Sequence, residues 1–179
     1  MDLRRLAREE RADFAAFLAT LSPQQWEAPS LCAGWRVRDV VAHVISYDEL
    51  DGRGLVGRLV QGRFLPQRAN AVGLAQYQTH SPDQLLAVLR DHLEPRGLTA
   101  AFGGALALVD GLIHQQDIRR PLGMPRDIPA ERLLPALRGA LAAPVIGGFW
   151  RVRGVRLVAT DLDWSTGQGP EVRGRPRRC

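Results

Sequence analysis

The sequence predicts a mainly α fold: a helix bundle followed by a short C-terminal β segment. Three observations predict it. Apolar residues recur at helical spacing in several segments, and short links marked by Pro and Gly join them. No strand-like alternation precedes residue 150. After it, "VRGVRLVATDLDW" alternates in the manner of a strand. Several helices with short links point to an up-and-down bundle.

Residues 3–20 carry Leu3, Leu6, Phe14, Phe17 and Leu18 among charges, the pattern of an amphipathic first helix. "LSPQQWEAPSLCAGW" is a punctuated connection in which Trp26 and Trp35 serve as core or loop anchors. "RVRDVVAHVISYDEL" is a second helix. Its core face is Val37, Val40, Val41, Val44 and Ile45, with His43 on the flank, in line with Val40, Tyr47 and Leu50. "GRGLVGRLVQGRFL" is broken by Gly. "THSPDQLLAVLRDHL" opens with Ser81 as N-cap and Pro82 in the first turn. A helix from about Leu98 to Arg119 follows, with Phe102, Leu106, Val109 and Ile113 as its apolar stripe. "DIPAERLLPALRGALAAPV" reads as a last helix. "STGQG" reads as a turn and "PEVRG" as a second strand; two strands alone need the bundle for support. The domain division expected is 1–150 for the bundle, 151–174 for the β segment and 175–179 for a basic tail.

At 179 residues and 45% hydrophobic, the chain can bury one real core. No apolar run is expected to span a bilayer, and the charged start "MDLRRLAREERADF" lacks the apolar centre of a signal peptide, so a cytoplasmic location is expected. The net charge is +5, and all 24 basic residues are Arg. They are scattered, and Arg173, Arg175, Arg177 and Arg178 crowd the end. That distribution disfavours a nucleic-acid interface. Cys32 and Cys179 are the only cysteines, too few for a disulfide framework; Cys32 is expected as a small buried hydrophobe and Cys179 as exposed. His80 and His92 are expected on the surface. Arg119 and Arg120 either line an anion site or are solvated.

The chemistry is concentrated in "DGLIHQQDIRRPLG". On a helix, Asp110 and His114 fall one turn apart on one flank, and Asp117 lies on the same side one turn further on. A carboxylate and an imidazole at this spacing can share one metal ion, with His43 from another helix as a third ligand. Asp117 would orient the histidine or compete as a ligand. The plainer alternative is a solvated polar pair.

Three blocks then stand in order: "W-x2-PS-x-C-x-GW-x-V-x-DVVAH" (Trp26 to His43), "D-x3-H-x2-DIRRPLG" (Asp110 to Gly123) and "ATDLDWSTGQGPEVRG" (Ala159 to Gly174). In these the chain resembles the mycothiol-dependent maleylpyruvate isomerase family, within the wider DinB-like superfamily. The resemblance implies a DinB-like four-helix bundle holding a divalent metal, usually zinc. His43, Asp110 and His114 correspond to the ligands, with Asp at 110 where the family has Glu. It implies mycothiol as co-substrate: a metal-bound thiolate adds to a conjugated cis double bond, the adduct rotates, and the thiol leaves. Relatives transfer such thiols to electrophiles instead. Family members usually continue into a small α/β domain, so residues 151–174 are expected as its remnant. The expected partners are a small electrophile and a low-molecular-weight thiol, without nucleic acid or membrane; a homodimer is left open.

Two other readings compete with this enzyme. A catalytically inactive binding or stress-response module would leave Asp110 and His114 bonded only to each other. A nucleic-acid-binding domain would gather Arg on one face and bind in a strongly salt-dependent way.

Overall fold

The computed structural model describes residues 1–143 and 147–178. Four helices form the bundle: α1 (Leu3–Leu18), α3 (Val37–Ser46), α6 (Pro82–Asp91) and α7 (Ala105–Arg119), with the short α2 (Pro23–Trp26) between the first two. They close a ring in which α1 touches α7 and α6, and α3 touches the same two. Between α3 and α6 lie α4 (Gly52–Gln61) and α5 (Pro66–Gln76); α8 (Ala130–Ala142) packs outside on α7 and α1, and α9 (Gly148–Arg151) follows it.

Local chemistry explains the helix starts. Asp2 accepts from the Arg5 N–H at the head of α1. Ser22 and Ser81 form capping boxes with Gln25 and Gln84, each followed by Pro in the first turn. The core forms two clusters. One gathers Phe14, Phe17, Leu18, Val37, Val40, Val41, Val44, Ile45, Leu85, Leu89 and Ile118; the other gathers Leu6, Ala107, Leu108, Val109, Leu112, Ile128 and Leu133. Trp26 is buried in the first, and Trp35 packs against it half-buried. The expected core face of α3 is therefore the observed one. α7 supplies both clusters.

The helix expected from Leu98 is shorter at its start. Gly97–Gly104 is a 3-10 stretch broken at Ala101–Gly103, where the backbone leaves the helical region. Phe102 has φ 55° and is 86% exposed, so it is no part of an apolar stripe. Gly104 starts α7 at φ 91°, and a Cβ there would come within 3.1 Å of the Arg4 backbone. The buried side of α7 includes Ala107, Leu108, Val109, Gly111, Leu112, Gln115 and Ile118, so of the expected stripe Val109 is buried, Leu106 is half-buried and Ile113 is 37% exposed. Gly111 faces α1, where a Cβ would make an ordinary contact with Glu10 Cγ at 3.4 Å. By length and composition alone, Gly97–Arg119 could cross a membrane, contrary to expectation; its mean hydropathy is 1.4. The break at Ala101–Gly103 and the packing of α7 between α1, α3 and α8 make it a bundle element here.

The β segment is a three-stranded sheet in the order β2-β1-β3, where β1 is Arg156–Ala159, β2 is Ser165–Gly167 and β3 is Glu171–Gly174. β1 pairs antiparallel with β2 and parallel with β3. "STGQG" is thus partly strand, because Ser165–Gly167 finds a partner in Arg156–Val158. The segment after β3 is pinned to the bundle. Ile128 N–H donates to Arg177 O at 2.8 Å, and Asp161 Oδ2 accepts from Arg177 N–H at 3.2 Å. The expectation for Cys179 lies outside the described residues.

Candidate metal centre

α7 carries Asp110, His114 and Asp117 on the flank between its buried side and solvent; all three are half-buried. α3 presents His43 from across the bundle. Val40, Val44 and Ile45 bury the neighbouring face of α3, which fixes the direction in which His43 points. The three residues meet. One donor atom from each of His43, Asp110 and His114 lies within 4.8 Å of the other two. His114 Nε2 is 3.4 Å from Asp110 Oδ1, and His43 Nε2 is 4.0 Å from the same oxygen. The His43 and His114 rings cross edge-on with centroids 4.9 Å apart.

Ligands about 2.0–2.1 Å from a tetrahedral zinc ion stand about 3.3 Å from one another. The His114–Asp110 spacing meets that figure, and the His43 spacing is longer. At 4.0 Å, His43 Nε2 is too far from the carboxylate for a hydrogen bond, and its buried Nδ1 has no partner among the described residues. A cation between the groups would give His43 Nε2 the partner that Asp110 is too distant to be. Two imidazoles and one carboxylate make a borderline donor set that suits zinc and similar divalent ions. These residues therefore fit such a group.

Asp117 stands behind His114. Its Oδ2 accepts from His114 Nδ1 at 2.9 Å, which places a proton on Nδ1 and aims Nε2 at Asp110 and His43. The sequence left Asp117 as orienter or competitor: this contact is one an orienter makes, and Asp117 also forms, with Cys32 and His114, a second group with one donor atom of each within 4.8 Å of the others. Trp35 and Tyr47 stand against His43, with ring centroids 5.0 and 5.3 Å away. Tyr47 donates to Asn70 Oδ1 at 2.6 Å, and the Arg58 guanidinium lies over its ring. Asp110 keeps 27% of its side chain exposed, so the cluster has an open side.

Charge is shared unevenly. Burial holds His43 down at about 4, only partly offset by Asp110, so it is neutral at pH 7. Burial also opposes charge on His114, but the Asp110 carboxylate and the bonds to Asp110, Asp117 and Cys32 outweigh it and push His114 up to about 12. Burial opposes the Asp110 charge too, yet His114 outweighs it and holds Asp110 below the usual carboxylate range. Without a cation, the site is an imidazolium between two carboxylates.

Cys32 is a correction. It is not simply a small buried hydrophobe: half-buried, its Sγ donates to Asp117 Oδ2 at 3.3 Å and lies 3.9 Å from His114 Nδ1. The signal was its place in the block that leads to His43, but a lone cysteine in a loop does not disclose its partner. His80 and His92 are also corrected. Both are half-buried rather than on the surface, and His92 Nδ1 is satisfied by Val88 O at 2.8 Å. Arg119 is not simply solvated. Its guanidinium lies 3.7 Å over the Phe17 ring and donates to Gln115 and Met124, and burial lowers its pKa to about 10. Asp161 and Trp164 lie between β1 and β2.

The pattern of the mycothiol maleylpyruvate isomerase N-terminal domain matches residues 7–101. That span holds Cys32 and His43 and ends before Asp110 and His114, so the latter two enter the site on geometry alone. No curated protein and no solved structure matches the chain. The match covers more than half of the 179 residues, and with it the chain belongs to the mycothiol maleylpyruvate isomerase N-terminal domain family.

Proposed function

We propose that this protein is a metal-dependent enzyme that uses a low-molecular-weight thiol, mycothiol, on a small electrophile, as an isomerase or an S-transferase in the cytoplasm. The observation that carries this reading is the convergence of His43, Asp110 and His114 from two helices. A divalent cation bound there, zinc by its donor set, lowers the pKa of a coordinated thiol and keeps it ionised at neutral pH. The residues of the chain do the rest. His43 and His114 offer neutral nitrogens, and Asp110 offers the negative charge. Asp117 holds the His114 tautomer. Trp35 and Tyr47 shield the His43 side from water, which leaves the Asp110 side for the approach of thiol and substrate.

One observation favours the inactive-module reading: Asp110 and Asp117 already engage both nitrogens of His114. The test that separates the two is metal content of the purified protein by mass spectrometry. About one zinc per chain, absent in His43→Ala and His114→Ala, supports the enzyme and justifies a screen of thiols with electrophiles. Wild-type protein that takes up no metal when zinc is supplied is the inactive module. Nucleic-acid binding is disfavoured: Arg11, Arg36, Arg38, Arg126 and Arg132 are engaged with acidic groups of the fold.

A further inference from the structure

Cys32 has no part in the reading above, yet it touches the group that orients a proposed ligand. We propose that Cys32 is a positioning residue of the metal centre: its S–H fixes Asp117, and through Asp117 it fixes the His114 tautomer and ring. This inference rests on the metal-site reading of His43, Asp110 and His114.

Two contacts carry it. Asp117 Oδ2 accepts from His114 Nδ1 at 2.9 Å and from Cys32 Sγ at 3.3 Å, so one oxygen ties the loop to the ligand. Asp117 is only 20% exposed, and these are the side-chain bonds recorded for its carboxylate among the described residues. Without the thiol, the carboxylate would have one anchor and would be free to turn about its Cβ–Cγ bond.

The loop is built to hold Cys32 there. Leu31 N–H donates to Asp117 O at 2.9 Å, which staples the loop backbone to α7 at the very residue the thiol contacts. Ser30 Oγ donates to Trp35 O at 2.9 Å and accepts from Cys32 N–H at 3.1 Å. Trp35, in turn, stands against His43. One short loop therefore braces both histidines: His43 through the Trp35 ring, and His114 through Cys32 and Asp117. A partner behind a metal-bound histidine is worth about 10–100-fold in metal affinity. Cys32 acts one bond further back, so the low end applies.

The experiment uses the full chain as wild type, Cys32→Ala and Cys32→Ser. Serine keeps a donor at the same place. Zinc affinity is measured by competition with a chelator, and cobalt(II) is used as a spectroscopic probe. The expected result is about a tenfold loss of affinity in Cys32→Ala with a shifted cobalt visible band, both largely restored in Cys32→Ser. Wild-type affinity in Cys32→Ala overturns the proposal. So does an equal loss in both variants, which would make Cys32 a packing residue. A near-ultraviolet thiolate-to-cobalt charge-transfer band that needs Cys32 also overturns it, because the thiol would then be a ligand itself.

If wild-type protein binds neither ion, the metal reading falls, and the relay is read alone by NMR. The His114 Nδ1–H signal, protected from solvent in the wild type, must exchange faster in Cys32→Ala and recover in Cys32→Ser. Unchanged protection would end the proposal.

Discussion

α7 faces two polar clusters on opposite sides, and they are built differently. On the α1 side, Gln115 Nε2 donates to Glu10 Oε1 at 2.7 Å, and Glu10, fully buried, also receives Arg132 at 3.0 Å and Arg126. There the anion is closed in by cations and an amide that belong to the chain. On the α3 side, one residue away, His114 meets Asp110, Asp117 and His43, and no Arg forms an ion pair with either carboxylate among the described residues. Neighbouring positions on one helix thus serve two ends. A buried charge matched within the fold holds helices together. Donor atoms whose counter-charge is only a proton on His114 can exchange that proton for a cation from outside.

The largest expected effect breaks the closed side. Glu10→Ala would leave Arg126 and Arg132 facing each other without their shared anion. Removing one member of a buried pair costs about 3–5 kcal/mol. Urea denaturation reads it, and a loss below about 1 kcal/mol would show that the network is no stronger than a surface ion pair. Zinc bound per folded chain should not change, since α7 keeps its other face.

The open side should respond in the opposite way. His114→Ala removes a proposed ligand while leaving a small residue with good helix propensity. In chelator it also costs stability, because Asp110 and Asp117 lose the imidazolium between them; the response to zinc is what separates it from Glu10→Ala. With free zinc at 100 times the dissociation constant, wild-type protein gains about 2.7 kcal/mol, and the variant gains none. Thermal unfolding with and without zinc reads both. An equal zinc-dependent gain in the variant would place the metal elsewhere.

The sequence disclosed the two sides unequally. Helical spacing put Asp110, His114 and Asp117 on one flank of one helix, and that spacing survives although the start of α7 and its apolar stripe were misplaced. Side-chain positions along a helix depend only on local periodicity, so an error of seven residues at the helix start does not disturb them. The face of α3 was legible for the same reason. The turn of α7 was not, because it depends on packing against α1, α3 and α8, elements far apart in the chain. Cys32 and the pinning of Arg177 to Ile128 were hidden likewise: each rests on one or two hydrogen bonds over a long sequence separation. The Glu10 cluster left no pattern at all, since Arg126 and Arg132 lie over a hundred residues away.

Acid sharpens the contrast further. Metal-free, His43 is held at about 4 against an ordinary 6.5, so the unfolded chain takes up a proton that the folded chain refuses. Stability must then fall as pH drops from 6.5 towards 4. Asp110, held below its ordinary 3.8, adds stability that is present above that value and lost as pH falls further. His114, raised to about 12, works the other way: its contribution is complete below 6.5 and fades as pH rises towards 12. His43→Phe should therefore flatten the acid limb between pH 6.5 and 4 in chelator; an unchanged slope would show that His43 is not buried neutral. At pH 7 the cation must displace the His114 proton, so zinc binding should release about one proton, read from the dependence of the binding heat on buffer. A buffer-independent heat would contradict the charge assignment.

The smallest effect lies where α7 begins, and it tests why the helix starts at Ala105. Three consecutive residues at the break have positive φ, and only Phe102 among them is not a glycine. Gly104, at φ 91°, abuts the Arg4 backbone, so any side chain there is resisted by both conformation and space. Phe102, at φ 55°, is bulky and pays the left-handed penalty of roughly 1–2 kcal/mol while burying almost nothing. Asn adopts that conformation more readily than Phe. Phe102→Asn should then leave stability unchanged or raise it by up to about 1 kcal/mol. If the helix instead ran unbroken from Leu98, Phe102 would sit on its apolar stripe, and the same substitution would cost about 2 kcal/mol or more. The sign of that one change, read by chemical denaturation, decides between the two starts. It also fixes how far α7 extends beyond the helix turn that carries Asp110.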